Sequence, residues 1–315
     1  MKKWFALVLC LLMLTSTALA GDTIAGGADQ GSAVTIAVGG SYLDAIDAET
    51  SEWFVFTADQ DNAYYRAKVK NEEADAWLRM AIYDEQNIKL FEDDVYKGKT
   101  LSYSWKAVSG AKYYIRTWFD SKKASGRMTL SVEKTPDEHG NDLTAASVLA
   151  MDIETVSTLD GTKDVDVFTF TTAEDSNYYR LDFKNNDLNA WMNYELLDAD
   201  GLSVAKDDVY TGKSAYISWK AVPGAQYYVK LYSGSEKERG KYTVTLSHAA
   251  DNEPDTMENA IVLTAGEKSA SFDGSKDTDY FTFTAGEERA YYRLLIKNGT
   301  VDTTAYMEHQ DAAGL

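Results

Sequence analysis

The chain states one passage twice. "DDVYKGKTLSYSWKAVSGAKYYIR", Asp93–Arg116, returns as "DDVYTGKSAYISWKAVPGAQYYVK", Asp207–Lys230. Around it, Thr50–Val132 aligns with Asp164–Leu246 without a gap at a constant offset of 114, which superposes Tyr64 on Tyr178, Trp77 on Trp191, Trp105 on Trp219 and Gly126 on Gly240. A match of that length means that a whole folded unit was duplicated, since solenoid repeats run to only about 20–50 residues. A third copy follows, where Asp273–Gly299 matches Asp160–Asn186 at an offset of 113. Leu315 corresponds to Leu202 of the second copy, so copy three is expected to be truncated and to expose strand edges that pair with another chain.

Two of the three prolines, Pro136 and Pro254, fall in polar junctions, "EKTPDEHGND" and "ADNEPDTMEN". The expected organisation is a signal peptide at 1–20, copy one at 21–136, copy two at 137–250 and a truncated copy three at 251–315. Each complete unit, about 110 residues, is an ordinary size for a domain with one core.

Residues 1–20 carry Lys2 and Lys3, an apolar run from Trp4 to Leu14 and a small-residue "ALA" ending at Ala20. That is the pattern of a cleaved secretory leader, and the run is too short to span a bilayer of about 30 Å. The expected product is exported or displayed at the cell surface, with no membrane insertion. Cys10, the one cysteine, lies in the leader, so a mature chain has no disulfide and no thiol ligand. Removing two lysines and no acids takes the formal charge from -19 to -21. Such a surface is a poor partner for nucleic acid or anionic lipid, which require clustered Lys and Arg.

Within each copy apolar and polar residues alternate, the mark of half-buried strands. Tyr65, Ala67 and Val69 point one way, as do Tyr179, Leu181 and Phe183; so do Phe168 with Phe170, Tyr103 with Trp105, and Tyr113 with Ile115. Turn signals such as "DADG", "YTGK" and "VPGA" separate the strands, and no segment has a convincing apolar period of 3.6. The fold class expected is all-β: tandem antiparallel β-sandwiches of jelly-roll type, two complete and one truncated. "DDVY" is expected in a connecting loop, and "SWKAV" through "YY" as a hairpin.

The same alternation turns one ring of each tyrosine pair outward. The outward set is Tyr64, Tyr178 and Tyr291, then Tyr114 and Tyr228, with Trp118 and Tyr232 continuing the latter face. Two readings stand side by side. Aromatic rows bind extracellular polymers, protein or polysaccharide, at low entropic cost; outward Tyr beside Arg or Lys equally makes cation–π pairs that stiffen a solvated sheet.

In order along the chain come "DxDxFxFT" (Asp164, Asp166, Phe168, Phe170), "YYRLDF", "LLDADG", "DD", "VPGAQYYVKLY" and "GKYTVTL". This series resembles the bacterial pre-peptidase C-terminal domain family, which includes the collagen-binding domains of clostridial collagenases, over almost all of copies one and two. The resemblance implies a secreted, non-catalytic accessory domain that engages polymer and, in the collagenase relatives, binds calcium through an acidic segment leading into the domain and the loop before "DxD". Carried over, the ligands in copy three are Asp251, Glu253, Asp255, Asp273, Asp277 and Asp279. In copy two they are Glu138, Asn141, Asp142, Asp160, Asp164 and Asp166, with Gly140 where copy three has Glu253. Copy one has Thr50 and Glu52 at the "DxD" positions and is expected to bind none. Independently of the family, Ca2+ takes six to eight oxygens, which two acidic loops supply with carbonyls and water; the plain alternative is that these Asp residues serve turns and strand starts.

No catalytic constellation emerges. His139, His248 and His309 do not repeat between copies, and no zinc spacing, phosphate-cradling loop or nucleotide fingerprint is present. The expected function is therefore non-catalytic: an exported tandem binding protein, calcium-stabilised, or alternatively a structural spacer or accessory region of a larger secreted protein.

Overall fold

A computed structural model of the chain describes residues 22–174, 177–235, 239–250, 253–272, 277–286, 291–299, 304 and 306–309. Residues 1–21, the expected signal peptide among them, and Asp251 and Asp273 lie outside the described residues. Two compact units result, one made of residues 1–137 with 160–162, the other of 138–159 with 163–315.

The first unit contains β1 (Asp22–Thr23), β2 (Val34–Thr35), β3 (Ser41–Ile46), β4 (Ser51–Thr57), β5 (Ala63–Asn71), β6 (Leu78–Tyr83), β7 (Lys89–Val95), β8 (Thr100–Lys106), β9 (Lys112–Phe119) and β10 (Gly126–Pro136). They form two five-stranded sheets, β1-β3-β10-β5-β8 and β2-β4-β9-β6-β7. All neighbours are antiparallel except the short β1–β3 and β2–β4 steps. Alternation sets the two faces of each strand. In β9 Tyr113, Ile115, Thr117 and Phe119 are buried while Tyr114, Arg116 and Trp118 are half-buried on the other side. The inner faces meet through rings: Phe56 of one sheet stacks on Tyr65 of the other at 5.6 Å, and Phe91 on Tyr103 at 4.2 Å.

The second unit repeats the plan with β11 (Ser147–Val148), β12 (Glu154–Leu159), β13 (Val165–Thr171), β14 (Asn177–Asn185), β15 (Met192–Leu197), β16 (Ser203–Val209), β17 (Ser214–Lys220), β18 (Gln226–Ser233) and β19 (Gly240–Ala250). Its sheets run β11-β13-β18-β15-β16 and β12-β19-β14-β17. Phe170 faces Tyr179 and Trp219, and Phe183 stacks on Tyr194 at 4.1 Å. The chain is thus an all-β protein of sandwich type, with the inward residues expected from the alternation in its cores. Among the described residues of 251–315, β20 (Ile261–Val262) pairs in parallel with β21 (Phe281–Thr282). The same step joins Val34 to Phe54 and Ser147 to Phe168 in the earlier copies.

Two local expectations are corrected. Asp93–Asp94 and Asp207–Asp208 are not in a loop but in β7 and β16, at the outer edge of a sheet. Charged side chains there block edge-to-edge pairing, and the first Asp of each pair accepts from the amide of the second at 3.0 and 2.9 Å. The "SWKAV…YY" segment is not a hairpin either. β8 pairs with β5 and β9 with β4 and β6, so the turn at Gly110, with φ of 81°, carries the chain from one sheet to the other. Turn residues announce the reversal but not which sheet receives the next strand.

Candidate ligand-binding faces and acidic residues

On the outer face of β9, Arg116 lies over Trp118 at 4.5 Å and near Trp53 at 5.6 Å, while Arg79 lies over Trp118 at 5.4 Å. Tyr83 is opposite Tyr114 across the β6–β9 pairing and stacks on Trp53 at 5.5 Å. Sequence reading supplied Tyr114 and Trp118 but missed Trp53 and Tyr83; the signal was present, since Trp53 is out of phase with the inward Phe54 and Phe56. The corresponding face of β18 is plainer. Tyr228 and Tyr232 are half-buried there and Lys230 lies 5.2 Å over Tyr232, but Val167 and Leu197 stand where copy one has Trp53 and Tyr83.

Tyr64 and Tyr178 require correction. Both are on the outward side of their strands, opposite the core residues Tyr65 and Tyr179, yet they are only 2% and 3% exposed. Lys106 lies 6.0 Å over the Tyr64 ring and binds Asp137 at 2.7 Å. Lys220 lies 5.3 Å over Tyr178 and pairs with Asp255, and the Tyr178 hydroxyl donates to Asp277 at 2.9 Å. Neither ring is available to a polymer.

The acids of copy two divide by environment. Asp160, Asp164 and Asp166 are buried, at 3%, 2% and 1% exposure, and carboxylate oxygens of Asp164 and Asp166 approach within 4.8 Å. Asp166 accepts from the Tyr242 hydroxyl at 2.5 Å, and burial, with the Asp166 charge, pushes that phenol well above its ordinary pKa. Glu138 is exposed and accepts from Ser157 at 3.2 Å. Asp142 is an N-cap: one carboxylate oxygen takes the amides of Thr144 and Ala145 at 2.9 and 3.1 Å. Asn141 is half-buried beside it. In copy three Glu253 accepts from the Ser271 amide, Asp255 and Asp277 are held by Lys220 and Tyr178, and Asp279 is half-buried. Among the described residues these four do not bring three ligand oxygens within 4.8 Å.

In copy one Glu52 occupies the position of Asp166. Burial first, and then the charges of Asp44 and Asp47, raise its carboxyl pKa.

A further aromatic feature repeats in both units. Trp77 and Tyr96 meet at 5.1 Å, and Trp191 and Tyr210 at 5.0 Å, each pair tilted by 54°. All four rings are 40–52% exposed.

No protein-family model matches the chain, and no curated protein matches it. Solved structures resemble it in part. The pre-peptidase C-terminal domain of a collagenase from Bacillus anthracis is 20% identical over 34% of this chain and 99% of that domain, with a TM-score of 0.28. The N-terminal CBM22 tandem of Xyn10C from Paenibacillus barcinonensis is 11% identical over 69% and 92%, with a TM-score of 0.23. A putative secreted protein from Parabacteroides distasonis is 11% identical over 66% and 87%, with a TM-score of 0.24. No helix among the described residues is long and apolar enough to cross a membrane.

Proposed function

We propose that this is an exported, non-catalytic binding protein whose tandem sandwiches engage an extracellular polymer or cell-surface component. The observation that carries the reading is the aromatic face of β9, where Trp53, Tyr83, Tyr114 and Trp118 lie together on one side of a sheet whose other side is core. Tyr228 and Tyr232 supply a smaller counterpart on β18. Rings held by neighbouring cations keep their orientation without a partner, so little ordering entropy is lost on contact. The exposed apolar run Leu294–Ile296 in copy three supports self-association as a second mode of contact.

Calcium is part of the proposal. Asp164 and Asp166, with Glu138 and Asp160 nearby in sequence, are the residues that would hold it in copy two, supplying hard oxygen ligands to an ion that prefers them. In copy three calcium would compete with Lys220 and Tyr178 for Asp255 and Asp277. The burial of Tyr64 and Tyr178 favours the other reading, a spacer or accessory region.

Co-sedimentation with insoluble collagen, chitin, cellulose and peptidoglycan separates the two. Wild-type protein should be retained and the Tyr114→Ala plus Tyr228→Ala variant released; retention on none of the four leaves the spacer reading. Calcium should raise the melting midpoint over chelator-treated protein, by about 2.7 kcal/mol of stabilisation at 100 times Kd. An unchanged midpoint removes the ion from the proposal.

A further inference from the structure

Trp77 with Tyr96, and Trp191 with Tyr210, are large rings left in solvent at corresponding positions of both units. In each case one buried asparagine, 0% exposed, holds both loops that present the rings. The Asn71 side chain donates to the carbonyls of Ala74 and Ala76, the latter at 2.8 Å and directly before Trp77. Its backbone accepts from Gly98 at 2.7 Å and donates to Lys99 at 3.1 Å, fixing the turn that begins at Tyr96. Asn185 repeats this: its side chain donates to Ala190 at 2.9 Å, before Trp191, and its backbone engages Gly212 at 2.7 Å and Lys213 at 3.1 Å, fixing the turn at Tyr210. The turns need Gly98 and Gly212, with φ of 72° and 74°. A buried residue whose side chain and backbone together tie both surface loops makes the pair preorganised.

We infer that each Trp–Tyr pair is a stacking platform for the sugar rings of a neutral polysaccharide, made of rings other than those of the β9 and β18 faces. Three observations select that occupant. The rings of each pair are in contact, with centroids 5.0–5.1 Å apart, so nothing inserts between them; a slot needs about 7 Å, twice the 3.5 Å contact distance. That geometry forms neither a cage for a quaternary ammonium nor a groove for a proline-rich peptide. Asp75 accepts from the Tyr96 hydroxyl, but Asn189 stands at the matching position of copy two, so that charged contact is not common to the two pairs. The chain's net charge of -19 further disfavours an anionic glycan.

The test is co-sedimentation of the full chain with insoluble cellulose, chitin and β-1,3-glucan, with polygalacturonate and collagen as the anionic and peptide controls. Retention on a neutral glycan, lost by about 100-fold in the Trp77→Ala plus Trp191→Ala variant and by less in either single variant, is the bivalent result expected. Trp77→Phe plus Trp191→Phe, which keeps a ring, should retain part of it, and soluble oligosaccharides of the retained glycan should shift tryptophan emission in wild type but not in the alanine variant. The inference is overturned by no retention on the three neutral glycans, by retention on collagen alone, or by glycan binding that the alanine variant keeps. Loss in the Tyr114→Ala plus Tyr228→Ala variant speaks instead to the rings of β9 and β18, so the two sets of rings are tested by separate variants.

Discussion

The two complete copies share a backbone plan and differ in where they place their polar and aromatic bulk. In copy one the close aromatic stack is Phe91 on Tyr103; the same positions in copy two are Ala205 and Ile217. In copy two the stack is Phe183 on Tyr194, whose counterparts in copy one are Val69 and Met80. Among the described residues each sandwich has one such pair, at a different level of its core. Similarly, copy two buries the Tyr242–Asp166 hydrogen bond where copy one has Met128 and Glu52. The two units therefore share a pattern while placing their large rings elsewhere, as cores of similar total volume allow.

The largest test of that exchange is Phe91→Ala, expected to cost copy one about 3–5 kcal/mol in denaturant unfolding. Adding Val69→Phe, which moves the ring to the level used by copy two, should recover part of the loss; no recovery breaks the idea that the two levels substitute for each other.

A second effect appears in alkali. Burial, then the charges of Asp207 and Asp208, pushes Tyr194 up to about 12, and Tyr242 is raised as well, whereas copy one has Met80 and Met128 there. A raised phenol keeps its proton in the folded state after the unfolded chain has lost it. This stabilisation is fully present below about pH 10 and is lost as pH rises towards 12. Tyr194→Met plus Tyr242→Met should therefore raise the alkaline unfolding midpoint of unit two; an unchanged midpoint would refute this.

The smallest effect separates the two asparagines. Asn71 also accepts from the Ala74 amide at 3.0 Å, while the corresponding oxygen of Asn185 is buried without a hydrogen bond. Asn71→Ala should cost about 1–3 kcal/mol and Asn185→Ala less, since it strands fewer satisfied groups. Urea midpoints of the two variants measure the difference, and equal costs would mean the extra bond contributes nothing.

Much of the sandwich was legible because strand faces follow a local rule. The pairs Tyr64–Tyr65 and Tyr178–Tyr179 divide between inside and outside wherever the strand goes, and the inward aromatics follow from it. The corrections arose where sequence patterns leave the next contact open. "DDVY" carries the acids of a loop and runs into the glycine of a turn, yet Asp93 and Asp207 extend an edge strand because β6 and β15 offer a partner there. "SWKAV…YY" has a hairpin's turn residues, but the strands it joins belong to different sheets. Asp142, a calcium candidate by position, accepts local amides as a helix cap, and the platform tryptophans were used only as alignment markers.

By itself the sequence determined the duplication, the all-β class and the side of the strand to which each ring is attached, because period-two alternation is set by backbone geometry within a few residues. Only the tertiary structure decided which attached rings meet solvent. Tyr64 and Tyr178 point outward and are covered by Lys106 and Lys220 from the adjacent strands; Trp77 and Tyr96, on separate loops, become one exposed pair because the buried Asn71 fixes both. Exposure depends on what other parts of the chain bring alongside, and the side chains that cover or present a ring lie too far along the chain for its local pattern to encode them.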